Sequence, residues 1–204
     1  MKNSWKLFLV IAIISSFAFI PRNEPKKITI VIDAAHGGVD FGASYDSHLE
    51  KNIVDQITKK IKAQNTDANI VIHLTRSRDE SVSLSDRSTF SNNIQPDLLL
   101  SLHVNASKNK ATSGIELFVP KEGAFAQSSN EIALRLGSKL SENLNLKVHN
   151  VKEGQFYILK KSTAPAIIVE LGYLTNDADR QYLTTEREQD RFAATILEFI
   201  NDLK

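Results

Sequence analysis

The feature that most constrains the fold is a regular alternation of short apolar runs with amphipathic segments. The runs are almost unbroken, as is typical of strands buried on both faces of a sheet. They lie at 28–32, 70–74, 98–102 and 166–169. Between them, apolar residues recur every three or four positions in segments that begin near residues 50, 129 and 186, which predicts helices, and a capping box at Ser83 predicts a shorter one. This order favours one α/β domain: a mostly parallel sheet with helices on both faces.

The first apolar run, ITIVI, is followed at once by the sequence DAAHGG. Glycines at the end of a strand let the backbone turn sharply and leave the neighbouring side chain accessible. In open α/β sheets, ligands bind at the carboxyl ends of the strands. His36 therefore lies where a functional site is expected.

Three of the predicted strands end at a residue that can bind a metal or act in catalysis, namely His36, His103 and Glu170. Glu50 opens the helix that follows the first strand. Two neutral imidazoles and one carboxylate form the ligand set of a catalytic zinc, which leaves the fourth position for water. A second carboxylate could then serve as the base. Taken singly, each residue has a simpler explanation, such as a hydrogen-bonded loop histidine or a glutamate that favours a helix N-terminus.

Composition limits which residues could bind a metal and which class of partner the protein could bind. The chain contains no cysteine, so any metal must be held by His, Asp or Glu. Its formal net charge of +1 gives no electrostatic footprint for nucleic acid, which excludes that class of partner.

The first residues resemble an export signal. Lys2 and Lys6 precede an apolar-to-small run from Leu7 to Ile20, and Ser16-Phe17-Ala18 forms a small-x-small cleavage site. The run is short of the ~20 residues that span a bilayer comfortably. We predict a signal peptide at 1–18, with an uncleaved N-terminal anchor as the alternative, then a linker at 19–27 and a catalytic domain at 28–204.

Five blocks, in order along the chain, carry a family resemblance: IDAAHGGVDFGA, LEK at Glu50, LTRSRDESVSLSDRSTFSN, SLHVNAS and PAIIVELGYLTN. Together they resemble the zinc-dependent N-acetylmuramoyl-L-alanine amidases that cleave bacterial peptidoglycan. The resemblance runs from about Ile28 to the C-terminus. It implies that His36, Glu50 and His103 bind Zn²⁺ and that Glu170 is the catalytic carboxylate. It further implies a peptidoglycan substrate. From the N-terminal signal we expect export to the periplasm or cell envelope, and we expect a monomer with no membrane contact beyond the N-terminal segment.

The chain departs from the family pattern in two places. Ala34-Ala35 stands where the family usually has Pro-Gly before the first ligand histidine, and His149-Asn150 stands where Arg-Gly often precedes Val-Lys. Neither change removes a ligand. Asp33, Arg87 and Asn105 fall within the family-like blocks, and the sequence assigns them no role.

Other functions remain as alternatives. A non-catalytic peptidoglycan-binding module would lack a ligand or the base, whereas this sequence has the whole set. A zinc endopeptidase acting on stem peptides would use the same chemistry on a different bond. A serine esterase is disfavoured because no G-x-S-x-G elbow occurs, and a generic zinc peptidase because no H-E-x-x-H helix occurs.

The segment between the second histidine and Glu170 predicts an open active site. We expect an edge strand at 114–119 and a long helix capped by Ser128, joined only by PKEGAFAQS. A connection of this length leaves no room for an additional helix that could cover the metal. The alternative is that the loop from Lys152 to Thr163 folds over the metal.

Overall fold

The computed structural model describes residues 26–204. The predicted signal peptide or anchor at 1–18, and the linker up to residue 25, lie outside the described residues. Within residues 26–204, no helix is both long enough and apolar enough to cross a membrane.

Eight strands and six helices make up the described chain. The strands are β1 (Ile28–Ala34), β2 (Ser44–Tyr45), β3 (His48–Leu49), β4 (Ile70–Leu74), β5 (Leu98–Asn105), β6 (Glu116–Pro120), β7 (Lys152–Gly154) and β8 (Ala166–Tyr173). The helices are α1 (Glu50–Gln64), α2 (Leu84–Ile94), α3 (Ala126–Asn143), α4 (Tyr157–Lys161), α5 (Asp177–Thr184) and α6 (Glu186–Asn201).

Six of the strands form one sheet in the order β4-β1-β5-β8-β6-β7. Strands β4, β1, β5 and β8 are parallel to one another, β6 runs antiparallel to β8, and β7 is parallel to β6. Strands β2 and β3 form a separate small hairpin. The predicted single α/β domain with a mostly parallel sheet is confirmed.

The two faces of the sheet are covered unequally. Alternate residues of the strands, such as Ile30, Leu100 and Val169, face a large core beneath α1, α3 and α6. The other face buries a smaller cluster, including Val31 and Leu99, beneath α2 and α4. His103 on β5 and Glu170 on β8 project from this second, more thinly covered face.

One predicted strand was placed wrongly. Strand β6 is not an edge strand, because β7 pairs with its outer side. Strand β7 has three residues, too few for alternation of polar and apolar positions to reveal it.

The helices also differ from prediction at their ends. The Ser83 cap is confirmed, since its side chain accepts a hydrogen bond from the Asp86 amide. Ser128 does not cap α3, which already begins at Ala126; its hydroxyl donates instead to the carbonyl of Phe125. The short helices α4 and α5 were not predicted. Only residues 121–125 join β6 to α3, and no helix lies in that connection.

Candidate metal centre

The topology brings together the two histidines and the glutamate that opens α1. Strands β1 and β5 are parallel neighbours, so their carboxyl ends meet at one edge of the sheet, where His36 and His103 lie. The β2–β3 hairpin returns the chain to the same edge and starts α1 at Glu50. One ring nitrogen of each histidine and one oxygen of Glu50 lie within 4.8 Å of one another.

The geometry of these atoms suits a small cation. Glu50 Oε1 is 3.1 Å from Nε2 of His36 and 3.1 Å from Nδ1 of His103. The two imidazoles stand edge to face, with ring centroids 5.4 Å apart and an interplanar angle of 85°. Ligand atoms around a tetrahedral zinc are about 3.3 Å apart, given bonds of about 2.0–2.1 Å. The two distances from Glu50 Oε1 to the imidazole nitrogens are therefore close to the spacing that a zinc site requires.

Main-chain amides hold Glu50 in place. Its Oε1 accepts a hydrogen bond from the Val104 amide at 2.9 Å, and its Oε2 accepts one from the Ala43 amide at 2.7 Å. Its side chain is 5% exposed, whereas those of His36 and His103 are 22% and 26% exposed. Burial tends to raise the pKa of Glu50, but hydrogen bonds from His103 and His36 outweigh that effect and lower the pKa to about 2. Glu50 is therefore an ionised carboxylate in a fixed position. It is buried, whereas the two histidines beside it are partly open to solvent.

His36 adopts a strained backbone conformation and is oriented by a neighbouring carboxylate. Its φ of 59° lies in the left-handed region, which is uncommon for a residue with a side chain. Its Nδ1 is 2.8 Å from Oδ2 of Asp40, so the opposite nitrogen faces Glu50. Burial tends to lower the pKa of His36, but Glu50 and then Asp40 raise it to about 9. A carboxylate behind a histidine is the usual means of fixing the ring of a metal ligand.

Gly42 fits closely against both of these residues. A Cβ atom at this position would lie 2.4 Å from Oε2 of Glu50 and 2.6 Å from Cδ2 of His36. Its φ of +64° is also a conformation that side chains disfavour. Glycine at this position therefore allows the loop to pass directly behind the candidate ligands.

Glu170 lies on the strand next to His103. The two residues are register partners on β5 and β8, so their side chains point to the same face of the sheet. Within the described part of the chain, the buried Oε2 of Glu170 has no hydrogen-bond partner. Burial, reinforced by the negative charges of Glu50 and Glu116, raises the pKa of Glu170 to about 7 despite the opposing effect of His103. Glu170 can thus exchange a proton near neutral pH.

A cavity of about 290 Å³ adjoins the two histidines. Its floor is formed by the buried polar side chains of Asp33, Arg87 and Ser101, and its walls include Leu84 and Ile158. Ile158 belongs to α4, so this unpredicted helix lines the space beside the site without filling it.

All four predicted site residues come together, but two lie at positions different from those expected. His103 and Glu170 are inside their strands, because β5 continues to Asn105 and β8 to Tyr173. The remaining histidines stay outside the cluster; His149, for example, lies 2.8 Å from the carbonyl of Ser113 through Nε2.

Several supporting residues were not predicted. Asp40 follows His36 by four residues, and this spacing was the only sequence signal that pointed to it. Asp33 and Arg87, which had no assigned role, form a buried ion pair of 2.7 Å beneath the site. No periodic pattern in the sequence marks such a contact, because it joins residues 54 positions apart.

The chain is similar to known cell-wall amidases. The sequence model described as N-acetylmuramoyl-L-alanine amidase matches residues 30–202. N-acetylmuramoyl-L-alanine amidase LytC of Bacillus subtilis (strain 168) is 32% identical over 175 residues, which cover 86% of this chain and 35% of LytC. The chain thus spans about a third of the length of that relative.

Among the solved structures that match the fold are two amidases. The crystal structure of an N-acetylmuramoyl-L-alanine amidase from Clostridium difficile 630 has a TM-score of 0.81 at 30% identity, covering 87% of this chain and 96% of that one. The CwlD amidase from Clostridioides difficile, solved in complex with the GerS lipoprotein, has a TM-score of 0.78 at 28% identity, covering 86% of this chain and 98% of that one.

Proposed function

The chain belongs to the N-acetylmuramoyl-L-alanine amidase family, and from that membership we propose that it is a zinc-dependent hydrolase of the amide bond between N-acetylmuramic acid and the L-alanine of the peptidoglycan stem peptide. The observation that carries the proposal is the convergence of His36, Glu50 and His103, with Glu170 on the neighbouring strand. Three candidate metal ligands and a candidate base at the carboxyl edge of the sheet would supply the groups that such a hydrolase needs.

The donor chemistry favours zinc. Two imidazole nitrogens and one carboxylate oxygen are ligands typical of catalytic zinc, whereas magnesium and calcium prefer sites built from oxygen alone. His36, Glu50 and His103 would hold the ion. When bound, zinc would lower the pKa of the attacking water and would polarise the scissile carbonyl as a Lewis acid.

Glu170 is proposed as the general base and acid. Its carboxylate would accept the proton of the attacking water and then deliver that proton to the leaving amino group of L-alanine. The unpartnered Oε2 supports this role, since a buried acceptor without a partner is ready to receive a hydrogen bond from water or substrate. The raised pKa supports it too, because a group with a pKa near 7 can both take up and release a proton at neutral pH.

The experiment that tests this function is mass spectrometry of purified peptidoglycan after digestion with the protein. The amidase releases stem peptides that carry a free L-alanine amino end. Cleavage inside the stem peptide would instead indicate an endopeptidase, and binding without any product would indicate a non-catalytic module. Glu170→Gln serves as the matched control, because it retains the shape of the side chain but cannot act as a base.

We further propose that the protein is exported and works as a monomer at the periplasm or cell envelope, where its substrate is found. The proposed signal peptide or anchor at 1–18 would direct export, and residues 28–204 would form the catalytic domain. Light scattering of the purified protein tests the monomer, and N-terminal sequencing of the exported protein tests cleavage after Ala18.

A further inference from the structure

Two buried arginines hold the segment that carries His36. Arg76 donates from Nε to the carbonyl of Ala34 at 2.9 Å and from Nη2 to the carbonyl of Ala35 at 3.1 Å. Arg87 donates from Nη1 to the carbonyl of Ala34 at 2.7 Å and from Nη2 to the carbonyl of His36 at 2.6 Å. Three successive carbonyls at the end of β1 are therefore bound by two guanidinium groups.

The same arginines reach the segments that carry the other candidate ligands. Arg76 Nη2 also donates to the carbonyl of Lys51 at 3.0 Å, and Lys51 directly follows Glu50. Arg87 pairs with Asp33, whose second carboxylate oxygen accepts a hydrogen bond from Ser101 Oγ at 2.7 Å. Ser101 precedes His103 by two residues on β5. One polar network thus links the three ligand-bearing segments.

Burial of two charged arginines would lower stability, so we infer that their hydrogen bonds have a function. Each arginine is only 3% exposed, and a buried charge lowers stability unless it is paired and well hydrogen-bonded. Asp33 pairs with Arg87, and Asp55 lies 3.2 Å from Arg76. Most of the remaining donors reach main-chain carbonyls. Four of these hydrogen bonds go to residues 34–36, where the φ of His36 is 59°, and the others go to Lys51, Arg78 and Val82. A rigid planar fork can hold adjacent carbonyls at fixed positions, whereas the single ammonium group of lysine cannot.

We propose that Arg76 and Arg87 are positioning residues for the metal centre: they hold His36 and Glu50 in the arrangement that binds the ion, without touching substrate. The inference rests on the zinc site of the proposed function and does not depend on which bond the enzyme cleaves.

The test compares Arg76→Lys and Arg87→Lys with the parent in the purified full-length protein. Zinc affinity is measured by competition with a chromophoric chelator, the cobalt-substituted proteins are compared by their visible absorption bands, and folding is checked by thermal melting. We expect zinc affinity to fall by about 10–100-fold in each variant, the range for supporting residues of metal sites. The cobalt bands should shift because the ligands move, whereas a purely structural role would leave them unchanged in the folded fraction.

Arg191→Lys is the control for replacing an arginine with lysine away from the site, at a side chain that is 44% exposed. Arg191 also pairs with a buried carboxylate, that of Glu188, and donates to a main-chain carbonyl, that of Asn143, but it joins α6 to the end of α3. Its replacement should leave zinc affinity and cobalt bands unchanged.

Parent-like zinc affinity in both folded lysine variants would overturn the proposal. Failure of both to melt cooperatively would overturn it as well, because the arginines would then be required for the fold rather than for ligand placement. If the parent protein bound no zinc, the inference would fail together with the zinc site. A parent that binds zinc but does not release stem peptides would refute the amidase function and leave this inference standing.

Discussion

His103 and Glu170 are register partners on the parallel strands β5 and β8, with side chains on the same face of the sheet. Their surroundings nevertheless separate their roles. Nδ1 of His103 is 3.1 Å from Glu50, among the candidate metal ligands, whereas Oε2 of Glu170 is buried and has no partner within residues 26–204. The pair therefore places a candidate ligand and the proposed proton carrier side by side on adjacent strands.

Substitutions of this pair should separate metal binding from turnover. Glu170→Gln should retain zinc near the parent level while turnover falls by about two orders of magnitude or more, because a general base is lost. His103→Ala should lose the metal because only two ligands remain. Metal analysis of the purified variants, together with their rates on peptidoglycan, measures both effects. Zinc loss in Glu170→Gln with retention in His103→Ala would reverse the two assignments.

Removal of zinc should abolish activity. His36, Glu50 and His103 are brought together within 4.8 Å, and without the ion the site retains no Lewis acid. Treatment with a strong chelator, followed by its removal, should stop peptidoglycan hydrolysis, and added zinc should restore the rate. A thoroughly demetallated sample that hydrolyses at the original rate would contradict the mechanism.

Gly42→Ala should weaken zinc binding by about tenfold or more, because the new methyl group would displace Glu50 and His36. Gly123→Ala is a useful control: Gly123 also has a positive φ, of +109°, but an added Cβ would meet nothing within 4 Å. Chelator competition compares the two variants. Equal zinc affinity in both would show that the close contact behind the ligands is unimportant.

Acidification should lower the free energy of unfolding by protonating Asp33. Burial alone would raise the pKa of Asp33, but the charge of Arg87 and hydrogen bonds from Thr75 and Ser101 bring it below its ordinary value of 3.8. A carboxyl whose pKa is lower in the folded state stabilises the protein above the unfolded pKa, and that contribution disappears as the pH falls through the folded pKa.

Asp33→Asn should therefore destabilise the protein by about 3–5 kcal/mol at neutral pH, since it leaves Arg87 buried without its counter-ion. The difference from the parent should shrink as the pH falls below about 4. Denaturant unfolding across this pH range measures it. A difference that stays constant with pH would show that the ionised carboxylate is not the stabilising species.

The purified protein should hydrolyse isolated peptidoglycan without an activator. The five-residue connection at 121–125 contains no helix, and the side chains of His36 and His103 are 22% and 26% exposed, so the candidate centre is accessible. An assay of the protein alone tests this. Folded, zinc-loaded protein that remains inactive until a partner protein is added would contradict the expectation.

The sequence by itself determined the fold class and the identity of the candidate site residues. Apolar periodicity reports burial directly, so strand β4 at Ile70–Leu74 and the start of α1 at Glu50 could be predicted from local pattern alone. Parallel strands place their carboxyl ends at one edge, which made the approach of His36 to His103 a consequence of the predicted topology.

Only the tertiary structure decided how those residues are held. Strand β7 was too short to have a period, so the true edge of the sheet could not be read from sequence. The contacts of Arg76 with Lys51 and of Asp33 with Ser101 join residues 25 and 68 positions apart. A buried hydrogen bond of this kind depends on where two distant segments meet after folding. The periodicity of each segment predicts its own burial but not which distant residue it contacts.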